Sequence, residues 1–153
     1  MHKQRLGILI AAGVGILATF LPWANIPLVG SVYGTAGDGW ITLVLFVITA
    51  VMTVLGDRKV VLGGPKFIIA LLTSIVAGGI GIWKIVDFTS LKADIASDSF
   101  LGESFAAGVS IGIGIYLLVI AAIGVTVAGF VLKGKQPIKA DENVPTTTPA
   151  TTL

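Results

Sequence analysis

The chain has no cysteine and a single histidine, His2. Without thiols there can be no disulfide, thiolate metal site or cysteine nucleophile. One imidazole beside the first apolar run cannot furnish a histidine-dependent triad or a multi-histidine metal site. Charge is scarce too. Asp, Glu, Lys and Arg together make up 12% of the residues, about half of the roughly 25% usual in soluble domains. The cores of the longest apolar runs hold no ionisable residue. That argues against a proton relay, an ion-coupled transporter or an intramembrane enzyme, each of which needs such a group within a span.

What is present is apolar surface. Hydrophobic residues make up 55% of the chain, and the mean hydropathy is +1.00. Charges cluster between apolar runs of about 18 or more residues, the mark of transmembrane helices. Four spans are expected, at about residues 6–24, 39–56, 65–86 and 105–132. The fold class is an all-α membrane protein, a four-helix bundle over residues 1–132. Residues 133–153, rich in Thr and Pro, read as a disordered cytoplasmic tail. The alternating glycines of "GVSIGIGI" could mark a strand. An open strand in lipid would leave its backbone unpaired, so the segment is assigned to the fourth span. That span is longer than a bilayer requires, so it should tilt or project.

Lys3 and Arg5 precede the first span, Arg58, Lys59 and Lys66 follow the second, and Lys133, Lys135 and Lys139 follow the fourth. The positive-inside rule then places both termini in the cytoplasm, in a membrane expected to be the bacterial inner membrane. Trp23, Trp40 and Trp83 fall at the outer ends of spans and read as interface anchors. The net charge of +2 reports this orientation, and nucleic acid is not an expected partner. "MHKQR" before an apolar run has the outline of a secretory signal. "LPWAN" puts Pro and Trp where cleavage needs small residues, so a retained helix is expected.

Small residues at four-residue spacing let helices approach closely in lipid. Gly7, Ala11 and Gly15 form such a face in span one. Ala70, Ser74 and Gly78 form one in span three, and Gly108 and Gly112 one in span four. Span two has no such stripe, so spans one, three and four should pack tightly while span two faces more lipid. Hydroxyls within the spans are expected to bond back to their own helix carbonyls.

The loops hold the remaining candidates. "IPLVGSVYG" is rich in β-formers and reads as a small hairpin near Gly30 and Ser31. Asp38, just before span two, reads as a helix cap. Phe88, Leu91 and Ile95 recur at helical spacing and predict a short amphipathic helix on the outer surface. Tyr33, Asp38, Asp87, Asp94, Asp98 and Glu103 are the candidates for an outer-face recognition site. Their spacing matches no calcium loop, and no cofactor or metal is expected. "GGPK" at 63–66 lacks the spacing of a phosphate loop and reads as a turn with Pro65 in the first turn of span three.

Phe20, Leu21, Pro22 and Trp23 close the first span, and Gly37, Asp38, Gly39 and Trp40 open the second. Together "FLPW" and "GDGW" resemble a pattern of small bacterial four-helix membrane proteins, over about residues 6–56. The resemblance implies the fold and carries no activity. Some such proteins bear a cysteine-containing zinc ribbon, which this chain lacks, so no metal role carries over. The layout is also similar in outline to claudin-like proteins, without their paired loop cysteines, so junction formation does not carry over either. The expected function is therefore a non-enzymatic structural or accessory membrane protein, acting through helix packing and outer-loop contacts. Its expected partners are the lipid bilayer and either a second copy or another membrane protein. The alternative is a small oligomeric channel or transporter with hydroxyls lining a path.

Overall fold

The structure, a computed structural model, describes residues 1–98 and 102–133, with the side chain of Asp98 outside the description. The expected tail beyond Lys133 lies outside the described residues. In chain order the elements are α1 (Lys3–Phe20), β1 (Pro22–Ile26), β2 (Gly30–Tyr33), a 3-10 turn (Gly34–Ala36), α2 (Gly39–Val54), α3 (Gly64–Asp98), α4 (Gly102–Gly108), β3 (Ser110–Ile111) and α5 (Ile113–Val131). α1, α2, α3 and α5 form a ring in which α1 and α3 each touch both α2 and α5. α1, α3 and α5 are each long and apolar enough to cross a membrane, and α2 is a shorter apolar helix of sixteen residues.

Two ends can be distinguished. The N-terminal end carries the start of α1, the α2–α3 loop and the end of α5. The hairpin end carries the sheet, the start of α2 and the start of α5. Pro22 sets the boundary between α1 and the sheet. A residue before proline is driven out of helical backbone, and Leu21 is extended, at φ −83° and ψ 160°. β1 and β2 form the expected hairpin, with Ile26 opposite Gly30 and Asn25 opposite Ser31.

The bundle interior is filled. Ile8, Ala12, Phe46, Ile115, Leu118 and Val125 are buried together. The outward faces are the reverse of a soluble protein's. Leu17 on α1, Val44 on α2, Ile75 on α3 and Ile120 on α5 are all more than half exposed. Large apolar side chains on the outside of every ring helix are what lipid-facing helices require.

Four expectations are corrected. First, the fourth span is not one helix. The chain breaks into α4, the two-residue strand β3 and α5. β3 pairs antiparallel with β1, Ala24 opposite Ile111 and Asn25 opposite Ser110. The objection to a strand in "GVSIGIGI" therefore fails for Ser110–Ile111, because β1 supplies the backbone partners. Gly108 and Gly112 pack against this cap rather than another helix. A Cβ on Gly108 would meet the Pro27 ring at 2.5 Å, and one on Gly112 would collide with the Pro22 carbonyl.

Second, the segment after span three is not a separate amphipathic helix. Phe88, Leu91 and Ile95 lie on α3, a single helix of thirty-five residues. At 1.5 Å per residue it is about 52 Å long, against about 30 Å of hydrocarbon. It runs on past the ring at the hairpin end, where α4 packs back on it.

Third, α2 has a buried packing face of its own, although the most extensive helix contacts are those of α5 with α1 and α3. Thr42, Phe46, Thr49 and Thr53 are each fully buried along one face. The threonine hydroxyls donate to the carbonyls of Gly39, Leu45 and Thr49 at 2.7–2.9 Å. With its hydroxyl turned back, a threonine presents a methyl to the neighbour and packs like a small apolar residue. Thr49 also meets the hydroxyl of Thr73 on α3 at 2.8 Å. The small faces of the other helices do touch neighbours. A Cβ at Gly7 would meet Leu132 and Ala128, and one at Gly15 would meet Phe46. One at Gly78 would meet Ala122, and Ala11 lies against Gly124. Ala70 is buried, and Ser74 donates across to the Ala122 carbonyl at 3.1 Å rather than back to α3.

Fourth, Trp23 is not an interface anchor. It is 4% exposed and belongs to the core. Trp40 and Trp83 are 58% and 71% exposed.

Candidate functional site

Trp23 organises the hairpin end. Its indole Nε1 donates to the Ala18 carbonyl at 3.1 Å, a bond an enclosed indole needs. The ring fits because both flanking positions lack a side chain. A Cβ on Gly34 would approach the indole to 2.5 Å, and one on Gly114 to 2.7 Å. The Trp23 carbonyl accepts from Gly112 N–H at 2.8 Å. Gly34 N–H donates to Leu21, and Gly37 N–H to Gly34. The "FLPW" and "GDGW" segments are thus packed against each other around one indole, with the start of α5 closing the slot.

This packing fixes Asp38. It stands at the N-cap position of α2, but its carboxylate accepts from no helix N–H, which corrects the capping expectation. Oδ2 instead meets Lys84 Nζ on α3 at 2.6 Å. Asp87, one turn on from Lys84, lies 3.8 Å from the same ammonium. An ammonium brought to the end of an apolar bundle gains more from a direct carboxylate than exposed N–H groups gain from a cap. Beside the ion pair lies an open cleft of about 370 Å³, walled by Ile41, Ile80 and Trp83 and rimmed by Asp38, Lys84 and Asp87.

Of the expected recognition residues, only Asp38 and Asp87 share this cleft. Tyr33 is half exposed on β2, and Asp94 and Glu103 are exposed on α3 and α4. The side chain of Asp98 lies outside the described residues. A second cleft of about 470 Å³ runs between α3, α4 and the start of α5, lined by Phe88, Lys92, Ser110 and Tyr116 among others. Among the described residues no group of three acidic or histidine side chains is placed to hold a metal.

The N-terminal end holds polar residues that no motif or spacing singles out. Gln4 is fully buried. Its amide donates to the Gly129 carbonyl at 2.7 Å and accepts from Leu62 N–H at 2.9 Å. Arg5, read from the sequence only as an orienting charge, is 5% exposed and bonded to carbonyls of the α2–α3 segment. The only signal is position. Both residues directly abut the first apolar run, where α1 is enclosed by α2, α5 and the α2–α3 loop. The chain matches no known protein family, no curated protein and no solved structure.

Proposed function

We propose that the chain is a non-enzymatic accessory protein of the bacterial inner membrane, of the kind its "FLPW" and "GDGW" segments resemble. All four ring helices span, with both termini cytoplasmic and the hairpin end outside. α2 is about 24 Å long by its rise per residue, and slight local thinning of the bilayer accommodates it. The observation that carries the reading is the filled interior. Phe46, Ile115 and Leu118 are fully buried and belong to one apolar cluster with residues of α1 and α3. The hydroxyls of Thr19, Thr42, Thr53, Ser74 and Thr126 are each engaged by a backbone carbonyl. A hydroxyl-lined path would need unfilled space and free oxygens, so the packing favours the accessory reading over the channel alternative.

What is left to act is the hairpin end. Its exposed Trp83, its cleft and the protruding part of α3 offer a surface to a neighbouring membrane protein or a second copy. Site-specific photo-crosslinkers at Trp83 and Lys92, tried in native membranes, test this directly. A discrete adduct from these positions, absent from Lys59 at the other end, is expected. A chain that yields no adduct at the hairpin end, and is monomeric in those membranes, would refute the accessory role. The four-span arrangement has its own test. Single cysteines at Leu28 and Ser90 should label from one side of the membrane and those at Lys59 and Lys133 from the other.

A further inference from the structure

Arg5 is nine-tenths buried, yet its hydrogen-bonding capacity is only partly used. A guanidinium carries five N–H donors. Nε donates to the Val60 carbonyl at 2.8 Å. Nη1 donates to the carbonyls of Thr53 at 2.7 Å and Leu55 at 3.1 Å. Nη2 has no partner among the described residues. No fully enclosed side-chain nitrogen or oxygen among those residues lacks a partner, so Nη2 is not sealed off from solvent. Arg5 lines a shallow basin of about 510 Å³, formed by the α2–α3 loop and lined also by Gly56, Asp57, Gly64 and Lys66.

The surroundings of that nitrogen favour an anion. Among the described residues Arg5 makes no ion pair, so carbonyls hold its charge without cancelling it. Lys66 brings a second cation to the basin. A Cβ on Gly56 would sit 3.2 Å from its Nζ, and Gly56 takes φ +91°, which favours glycine. α3 begins here, so the N–H groups of Gly64 and Lys66 lie outside the intrahelical ladder, and the positive end of a long helix faces the basin. Asp57, the carboxylate on the rim, has one oxygen engaged by Lys59 N–H at 2.9 Å. Arg5, Lys66 and Asp57 leave one net positive charge, which a phosphodiester would neutralise.

We propose that this basin binds a phosphate group, with Arg5 Nη2, Lys66 Nζ and the first N–H groups of α3 as donors. The phosphate belongs either to an anionic phospholipid headgroup or to a soluble phosphate ester. The lipid source alone rests on the membrane reading above.

The test uses the purified full-length chain in detergent. Native mass spectrometry compares retention of phosphatidylglycerol with that of phosphatidylcholine, and a parallel arm titrates glycerol phosphate. Arg5→Gln is expected to unfold the loop, so Lys66→Gln is the informative variant, with Lys59→Gln as the control outside the basin. Losing one charge-assisted donor should weaken binding about tenfold in Lys66→Gln and leave Lys59→Gln within about twofold. Selective phosphatidylglycerol binding displaced by glycerol phosphate would establish the lipid source. Glycerol phosphate binding that needs Lys66, without preference between the lipids, would establish the soluble source and count against the membrane reading of this end. Binding of neither probe, or equal weakening by both variants, would overturn the proposal.

Discussion

Gly15 and Gly13 lie on the same helix two residues apart and should respond in opposite directions to alanine. A Cβ at Gly15 would lie 2.6 Å from three atoms of the Phe46 ring. Carbon atoms prefer about 3.5–4.0 Å, so the ring or the helix must move by about 1 Å. Phe46 is fully buried and has no free direction in which to swing. Overpacking of this kind costs about 1–3 kcal/mol, offset by about 0.5–1 kcal/mol for replacing a mid-helix glycine. Gly13 has nothing within 4 Å of its Cβ position, so Gly13→Ala keeps only the gain. Thermal unfolding in a mild detergent should therefore place Gly15→Ala below and Gly13→Ala above the parent protein. Phe46→Leu, destabilising alone, should relieve the clash and be clearly non-additive with Gly15→Ala. If both alanines shift stability alike, or if Gly15→Ala and Phe46→Leu simply add, the α1–α2 contact is wrong.

Three further outcomes follow from other contacts. Asp38→Asn and Lys84→Met should show a coupling of about 0.5–1 kcal/mol in a double-mutant cycle, since the carboxylate pairs with Lys84 and caps nothing; additivity by thermal melts would refute the pairing. Gln4→Leu strands the Leu62 N–H and the Gly129 carbonyl. It should cost about 2 kcal/mol or more in reversible denaturation, and a neutral result would contradict the buried amide. Leu28, at φ +68° and fully exposed at the hairpin tip, should be stabilised by about 1 kcal/mol on Leu28→Gly. A lower melting temperature for that variant would contradict the backbone strain at Leu28.

The helices are legible in the sequence because apolar runs are long and their ends are marked by charge, proline or tryptophan. The start of α2 at Gly39 and the start of α3 beside Pro65 follow directly. The unbroken α3 is also legible in principle. No glycine or proline occurs between Ile82 and Leu101, so nothing there tells the helix to stop. Conversely, Gly108 and Gly112 mark the interruption before α5. Trp23 misleads because the interfacial preference of tryptophan is a tendency of the residue alone. Its burial depends on Gly34 and Gly114, one of them from the far end of the chain. The threonine face of α2 escapes a search for glycine and alanine, because a threonine packs as a small residue only once its hydroxyl has turned back. Asp38 stands out in the sequence, but its partner Lys84 lies on another helix and no local spacing connects them. Gln4 and Arg5 look like ordinary flanking polar residues until the α2–α3 loop folds over them.

A closed ring interior, with function carried by the outer surfaces, is tested most directly by ion and small-solute flux across liposomes containing the purified chain. Flux no greater than that of protein-free liposomes, with correct insertion shown by cysteine labelling from both sides, is the predicted result. Selective flux that scales with protein content, and that is altered by Thr49→Val or Thr73→Val, would contradict the filled interior and establish the channel reading.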